Sequence, residues 1–364
     1  MPQPRASALL LLLPLACTNN VDLGDLTASE TSSSTAPATD DPAVTTTLAS
    51  DTTHDDPTTT TATTATTTAD TTTGPGDTGD ASSTETTGDL QFDCSQPQDF
   101  LRTPEMWLPT HSSEAFAFDG KGNFATGANL GLVIVSADTN EYVLIDSDNW
   151  QGAAGMAYLP DGRLLVSQYN EVNAIDPLGF SKKWIVNSGF TSPHELQVDL
   201  AGNVWLRDGV RVVRVAPDLT QKTVYEEASD YRNTFIYDES RKVLFFTVVI
   251  RQVSHLMHMP IADDGTPGEA TSIREGVGPM ALDACGNLYF LLQYNNLRRL
   301  LLAPDGLTFT EQSVANTVSP GNGVTIHFGV GPGFDPYKLY ANGTTGGVWT
   351  VEMEFPGAPV VVVE

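Results

Sequence analysis

Basic residues are scarce in this chain: 18 Lys and Arg stand against 45 Asp and Glu, a formal net charge of −27 over 364 residues. That shortage excludes nucleic acid as a partner, because phosphate binding needs a basic face. It also argues against direct docking on anionic headgroups. Cysteine is scarcer still, with Cys17, Cys94 and Cys285 alone. The apolar run near the N-terminus is too short to span a bilayer as a helix. No long segment carries a convincing apolar stripe of period 3.6. Catalytic signatures are missing as well. There is no G-x-S-x-G and no H-E-x-x-H, and "GVGPGF" around Gly329 does not lie between a strand and a helix as a phosphate loop must.

What is present falls into three parts. Residues 1–17, "MPQPRASALLLLLPLAC", place Arg5 before an apolar run at 8–13 and a closing Leu-Ala-Cys. This is the layout of a bacterial secretory signal. The tail "LPLAC" resembles the lipobox of bacterial lipoproteins, with Pro14 where Leu or Val is usual. The resemblance implies a lipid on Cys17, a membrane anchor, and a place in the bacterial cell envelope, at the outer membrane or cell surface. Cleavage nearby and release as a secreted protein remains open beside it.

Residues 18–92 hold 13 acidic residues and no Lys or Arg, in stretches such as "TTTTATTATTTADTTTGPGDTGD". Such a segment has almost nothing to bury and cannot offset the entropy of ordering, so a disordered linker is expected. Its job is spacing, and its dense Thr offers acceptors for O-glycans. The remaining part, 93–364, keeps 32 acidic against 17 basic residues and is expected to fold as one domain.

That part is repetitive. Apolar triplets begin at Phe116, Met156, Leu196, Phe235, Met280 and Ile326, at steps of 40, 40, 39, 45 and 46 residues. Each alternates in and out as a strand of period two. Asp, Gly and Asn then supply a tight turn, as in "FAFDGKGNFA", "LQVDLAGNVW" and "MALDACGNLY". A second apolar run pairs back as a hairpin, and further strand-like runs follow. Three to four short antiparallel strands per 40–45 residues mark a β-propeller blade. The fold class predicted is all-β, a six-bladed β-propeller over 93–364. Either "MWLP" before the first copy or "APVVVVE" at the end is expected to close the ring.

The spacing, the turns and the last copy, "HFGVGPGFDPYKLYA", resemble the gluconolactonase, senescence marker protein and strictosidine synthase-like six-bladed propellers. NHL-type propellers are the near alternative. In members with lactonase activity, the resemblance implies one divalent cation at the channel mouth. Its ligands are a Glu from the first blade, an Asn from the fourth and an Asp from the fifth, with an Asn-Asp pair from the third lining the pocket. These positions lie one or two residues before each triplet. Here Glu114 and Asn233 match, His194-Glu195 replaces the third-blade pair, and Gly278 stands where the Asp that serves as ligand and base is expected.

The residues read independently of the family leave two alternatives. Six equivalent positions converge at one end of a narrow channel, so Glu114, His194, Glu195 and Asn233 offer carboxylates, an imidazole and an amide oxygen. That set suits Ca²⁺ through oxygens or Zn²⁺ through His and carboxylate. A hydrogen-bonded polar plug is the other outcome. Because hydrolysis needs a base near water, Gly278 favours a module that binds a small molecule, glycan or protein on its top face. A metal-dependent lactonase or esterase is the alternative, and no catalytic residue is assigned. Trp150, Tyr169 and Trp205 are candidates for the ligand mouth or the core. His255 and His258, three apart on a strand, face opposite sides. Finally, with Cys17 lipidated, Cys94 and Cys285 are the only intramolecular pair left for a disulfide in an oxidising compartment.

Overall fold

The computed structural model describes residues 92–95, 97, 101–109, 114–128, 131–137, 142–146, 153–176, 181–185, 189–226, 234–293, 295–318, 323–343 and 347–363. The signal segment with Cys17, the linker apart from Phe92, Trp150 and Asn233 lie outside them. Among the described residues there are 24 strands and no helix.

The first strand, β1 (Glu105–Leu108), stands apart from the blade that follows it. Blade one holds β2 (Phe116–Phe118), β3 (Asn123–Ala128), β4 (Gly131–Ser136) and β5 (Tyr142–Asp146). Blade two holds β6 (Gly155–Tyr158), β7 (Leu164–Gln168), β8 (Glu171–Ile175) and β9 (Ser181–Lys183). Blade three holds β10 (Pro193–Val198), β11 (Val204–Asp208), β12 (Arg211–Val215) and β13 (Gln221–Glu226). Blade four holds β14 (Phe235–Asp238), β15 (Val243–Ile250), β16 (Val253–Pro260) and β17 (Thr271–Glu275). Blade five holds β18 (Val277–Leu282), β19 (Leu288–Leu292), β20 (Asn296–Leu302) and β21 (Phe309–Ala315). Blade six holds β22 (Gly323–Phe328), β23 (Lys338–Gly343) and β24 (Val348–Glu352). Every sheet is antiparallel, and each of the six triplets lies in an inner strand.

The sixth blade lacks an outer strand of its own, and β1 supplies it in the order β1-β24-β23-β22. Of the two candidate closures, the N-terminal "MWLP" segment takes the role. Trp107 fixes it there, edge-on to Phe124 at 5.1 Å, Tyr340 at 5.3 Å and Phe334 at 5.8 Å. With that edge filled, the C-terminal valines have no strand to pair with. They cross the far end of the ring instead. Ala358 packs against the cluster of blades four and five, Val361 against that of blades two and three, and the Val363 N–H donates to the Asp119 carbonyl of blade one.

The recurring turn phrase has a local cause. In blades one, three and five an Asp carboxylate gathers the turn around itself. Asp199 accepts from the N–H of Ala201 and Asn203, from Asn203 Nδ2, and from Trp205 Nε1 at 2.9 Å. Asp283 does the same with Cys285, Asn287 and the Tyr289 hydroxyl, and Asp119 with Lys121 and Asn123. The glycine inside each turn takes positive φ, 98° at Gly122, 78° at Gly202 and 76° at Gly286, which a side chain would resist. Blades two and four use other chemistry: Asp161 holds Arg163, and Asp238 holds Ser240 and Arg241.

Alternate blades differ at the other end too. The carbonyls of Glu114, His194 and Gly278, in blades one, three and five, each accept a hydroxyl from the preceding blade. The donors are Thr325 at 2.6 Å, Ser167 at 2.8 Å and Thr234 at 3.1 Å.

Candidate functional site

The inner strands begin at one end of the ring, the entry end, and the described positions preceding the triplets lie at those strand starts. Three inner strands start irregularly. In blade three, Pro193 pairs with Asp208 and Leu196 with Leu206, so His194 and Glu195 together oppose the single residue Arg207. Gly278-Pro279 oppose Leu291 in the same way in blade five, and blade six slips one residue at Val324. These are β-bulges, which re-aim side chains at the rims of rings and barrels.

Blade three carries the densest chemistry. The buried Asp208 carboxylate accepts the N–H of Thr191 and Ser192, both at 2.7 Å, and is ion-paired with Arg211. This fixes the loop leading into β10. Ser192 Oγ then lies 2.9 Å from His194 Nε2, so the imidazole is held by the loop that leads into its own strand. The His194 carbonyl rests over Gly155 of blade two. A Cβ at Gly155 would stand 2.2 Å from that oxygen, so the close approach admits only glycine.

Glu195 turns the other way. Its Oε2 accepts the Phe235 N–H of blade four at 2.8 Å. Two residues on, Gln197 repeats the reach, accepting the Tyr237 N–H at 2.8 Å and donating to the Tyr237 carbonyl. Inner strands splay too far for backbone pairing, and these side chains bridge the gap. Burial pushes the Glu195 carboxyl up to about 7, against the downward pull of the Phe235 N–H and the Arg207 charge.

Of the expected ligand set, Asn233 lies outside the described residues. Glu114 sits half-buried at the first-blade position, with its carbonyl engaged by Thr325. His194 and Glu195 adjoin in sequence, but the His194 imidazole bonds Ser192 of the loop before its own strand, while the Glu195 carboxylate bonds Phe235 of blade four. Among the described residues no group of three or more His, Cys, Asp or Glu is placed to hold a metal ion. Gly278 is also more than a missing carboxylate: a Cβ there would lie 2.7 Å from the Leu291 carbonyl.

Other candidates resolve plainly. Trp205 is core, stacked on Tyr237 at 4.5 Å between blades three and four. Tyr169, 75% exposed, stands at the entry end in the turn after β7. His258 is buried against Phe245 and the Asp305 carbonyl, whereas His255 faces Ser272 and Glu275. One group escaped the sequence reading: His327 of β22, edge-on to Phe116 at 5.2 Å, whose pKa burial lowers to about 4. Its place two residues after Thr325 on an inner strand was the available signal.

No family model matches the chain, and no curated protein matches its sequence. Solved structures share its architecture. A gluconolactonase from Xanthomonas campestris superposes with a TM-score of 0.55 at 15% identity, covering 72% of this chain and 96% of that one. Regucalcin from Agrobacterium tumefaciens, described as a calcium-binding protein, gives 0.53 at 14%, covering 72% and 98%. An auxiliary nutrient binding protein from Bacteroides ovatus gives 0.50 at 9%, covering 70% and 75%. At such identities the likeness is one of fold, and the fold is the six-bladed propeller of the gluconolactonase-like proteins.

Proposed function

We propose that this chain is an exported binding module, a propeller displayed on an acidic Thr-rich stalk. Lipid on Cys17 holds it at the bacterial envelope, and a small molecule, glycan or protein docks at the entry end of the ring. The observation that carries the binding reading is the bond between Glu195 and Phe235: the third-blade carboxylate is spent on joining two blades. Gly278 supports the same reading, because no base stands where lactone hydrolysis would need one.

A metal-dependent hydrolase of lactones or related esters is the second reading. It is favoured by Glu114 at the first-blade ligand position and by the fold shared with a gluconolactonase. Elemental analysis of the purified chain, with lactone turnover measured in calcium, zinc, magnesium and manganese, separates the two. A metal-free protein without turnover supports the binding module. One stoichiometric divalent ion with metal-dependent turnover overturns it in favour of the hydrolase.

A further inference from the structure

Cys94 and Cys285 are joined by a disulfide, with their Cα atoms 5.6 Å apart and their positions 191 apart in sequence. Cys94 precedes everything the chain contributes to the ring. Cys285 lies in the caged turn of blade five, its N–H held by Asp283 and its neighbour Ala284 bonded to Pro356. Between the two cysteines comes β1, the strand that closes the propeller. Its backbone attachment is short: three register pairs with β24, Glu105–Thr350, Met106–Trp349 and Leu108–Val348, beside the Trp107 ring contacts. Just ahead of it, the Arg102 N–H reaches the Val314 carbonyl at 2.7 Å and its guanidinium reaches Glu354 at 3.0 Å.

Consider tension applied through the N-terminal segment. Without the bridge, it meets Arg102 first and then the rungs of β1 one after another, so each yields singly. Loss of β1 would leave blade six with three strands and the ring open. With the bridge, tension leaves the backbone at Cys94 and passes through sulfur into the inner hairpin of blade five. Residues 95–284 then lie inside a closed loop and carry none of it directly. We infer that the Cys94–Cys285 disulfide is a strain relief: it diverts pull on the N-terminal arm away from the closing strand and into the body of the propeller. The tether reading supplies the biological source of the tension, but the geometry and its test stand without a lipid or a ligand.

The experiment pulls the full chain between its N-terminus and a peptide handle inserted at the exposed Pro332–Gly333 turn of blade six, beyond Cys285 and so outside the closed loop. In the oxidised chain, extension should show no early step before cooperative rupture of the ring. After reduction in place with a phosphine, a low-force step should appear. It should release roughly 40–50 Å, the length of about 14 extended residues from Cys94 to the end of β1. Forced unfolding reports the unfolding barrier, so the first-event lifetime at fixed force should also shorten by tenfold or more on reduction. A Cys94→Ser/Cys285→Ser chain should behave as the reduced one, and reduction of the folded wild type covers the case in which it fails to fold. An early step in the oxidised chain, or the same first event before and after reduction, overturns the inference.

Discussion

Glu195 of blade three and Phe235 of blade four are joined by a carboxylate-to-amide hydrogen bond of 2.8 Å across the seam between two inner strands. The carboxyl is held up to about 7, above its ordinary 4.5. Between these values the folded chain keeps a proton that the unfolded chain has released. This group therefore favours folding less as pH rises from about 4.5 to 7, by roughly 3 kcal/mol in full. Glu195→Gln keeps an acceptor for Phe235 and removes the titration. Urea denaturation at pH 5 and pH 8 should show the variant gaining on the wild type at the higher pH.

His327 works in the opposite sense. Its folded pKa is lowered to about 4, so the unfolded state binds the proton first as pH falls. The stability of the neutral, buried ring is present above about 6.5 and is lost as pH drops toward 4, again by roughly 3 kcal/mol. His327→Gln should flatten the acid limb of a plot of Tm against pH. An unchanged slope between pH 6.5 and 4 would count against the burial account.

Gly155→Ala puts a methyl group against the His194 carbonyl, whose oxygen lies 2.2 Å from the Cβ position. A backbone oxygen cannot swing away as a side chain would, so blades two and three must part. The expected cost is about 1–3 kcal/mol, read from urea melts.

Gly278→Asp supplies the carboxylate missing from the fifth blade but places its Cβ 2.7 Å from the Leu291 carbonyl. Calorimetric titration with calcium should show no new site, and Tm should fall. Stoichiometric calcium binding by this variant would mean that the ring accommodates the residue and that the site is one substitution from completion.

Asp199→Ala strips the acceptor from Asn203 and Trp205, both buried. Stranded donors cost more than the bonds are worth, so a loss of roughly 3 kcal/mol or more is expected. The exposed Asp161→Ala should stay within about 0.5 kcal/mol. Chemical denaturation of both variants tests whether alike-looking turns differ in this way.

The blades were legible because a local rule makes them. Alternating triplets and the Asp-Gly-Asn turns act over about ten residues, and all six triplets fall on inner strands. Closure was legible only as a choice, since "MWLP" and "APVVVVE" are equally strand-like. The choice depended on which end reached the open edge of blade six. The site was the least legible part. A bulge is a property of two paired strands, and the sequence of β10 alone does not say that His194 and Glu195 share one partner. Nor does it say that Glu195 reaches Phe235, 40 residues away. The offset from the triplet leaves the directions of the side chains open.

The hydroxyl clasps and caged turns alternate around the ring, and this limits how such a molecule can be inherited. Blades one, three and five present carbonyls, and the blades before them present hydroxyls. The smallest stretch that meets its own kind on repetition is therefore two blades, about 80 residues of gene. Duplication of one blade would set like beside like, with no such clasp at the new seam. A lineage that keeps these clasps should gain or lose blades in pairs, and a circular permutant cut between pairs should close more readily than one cut within a pair.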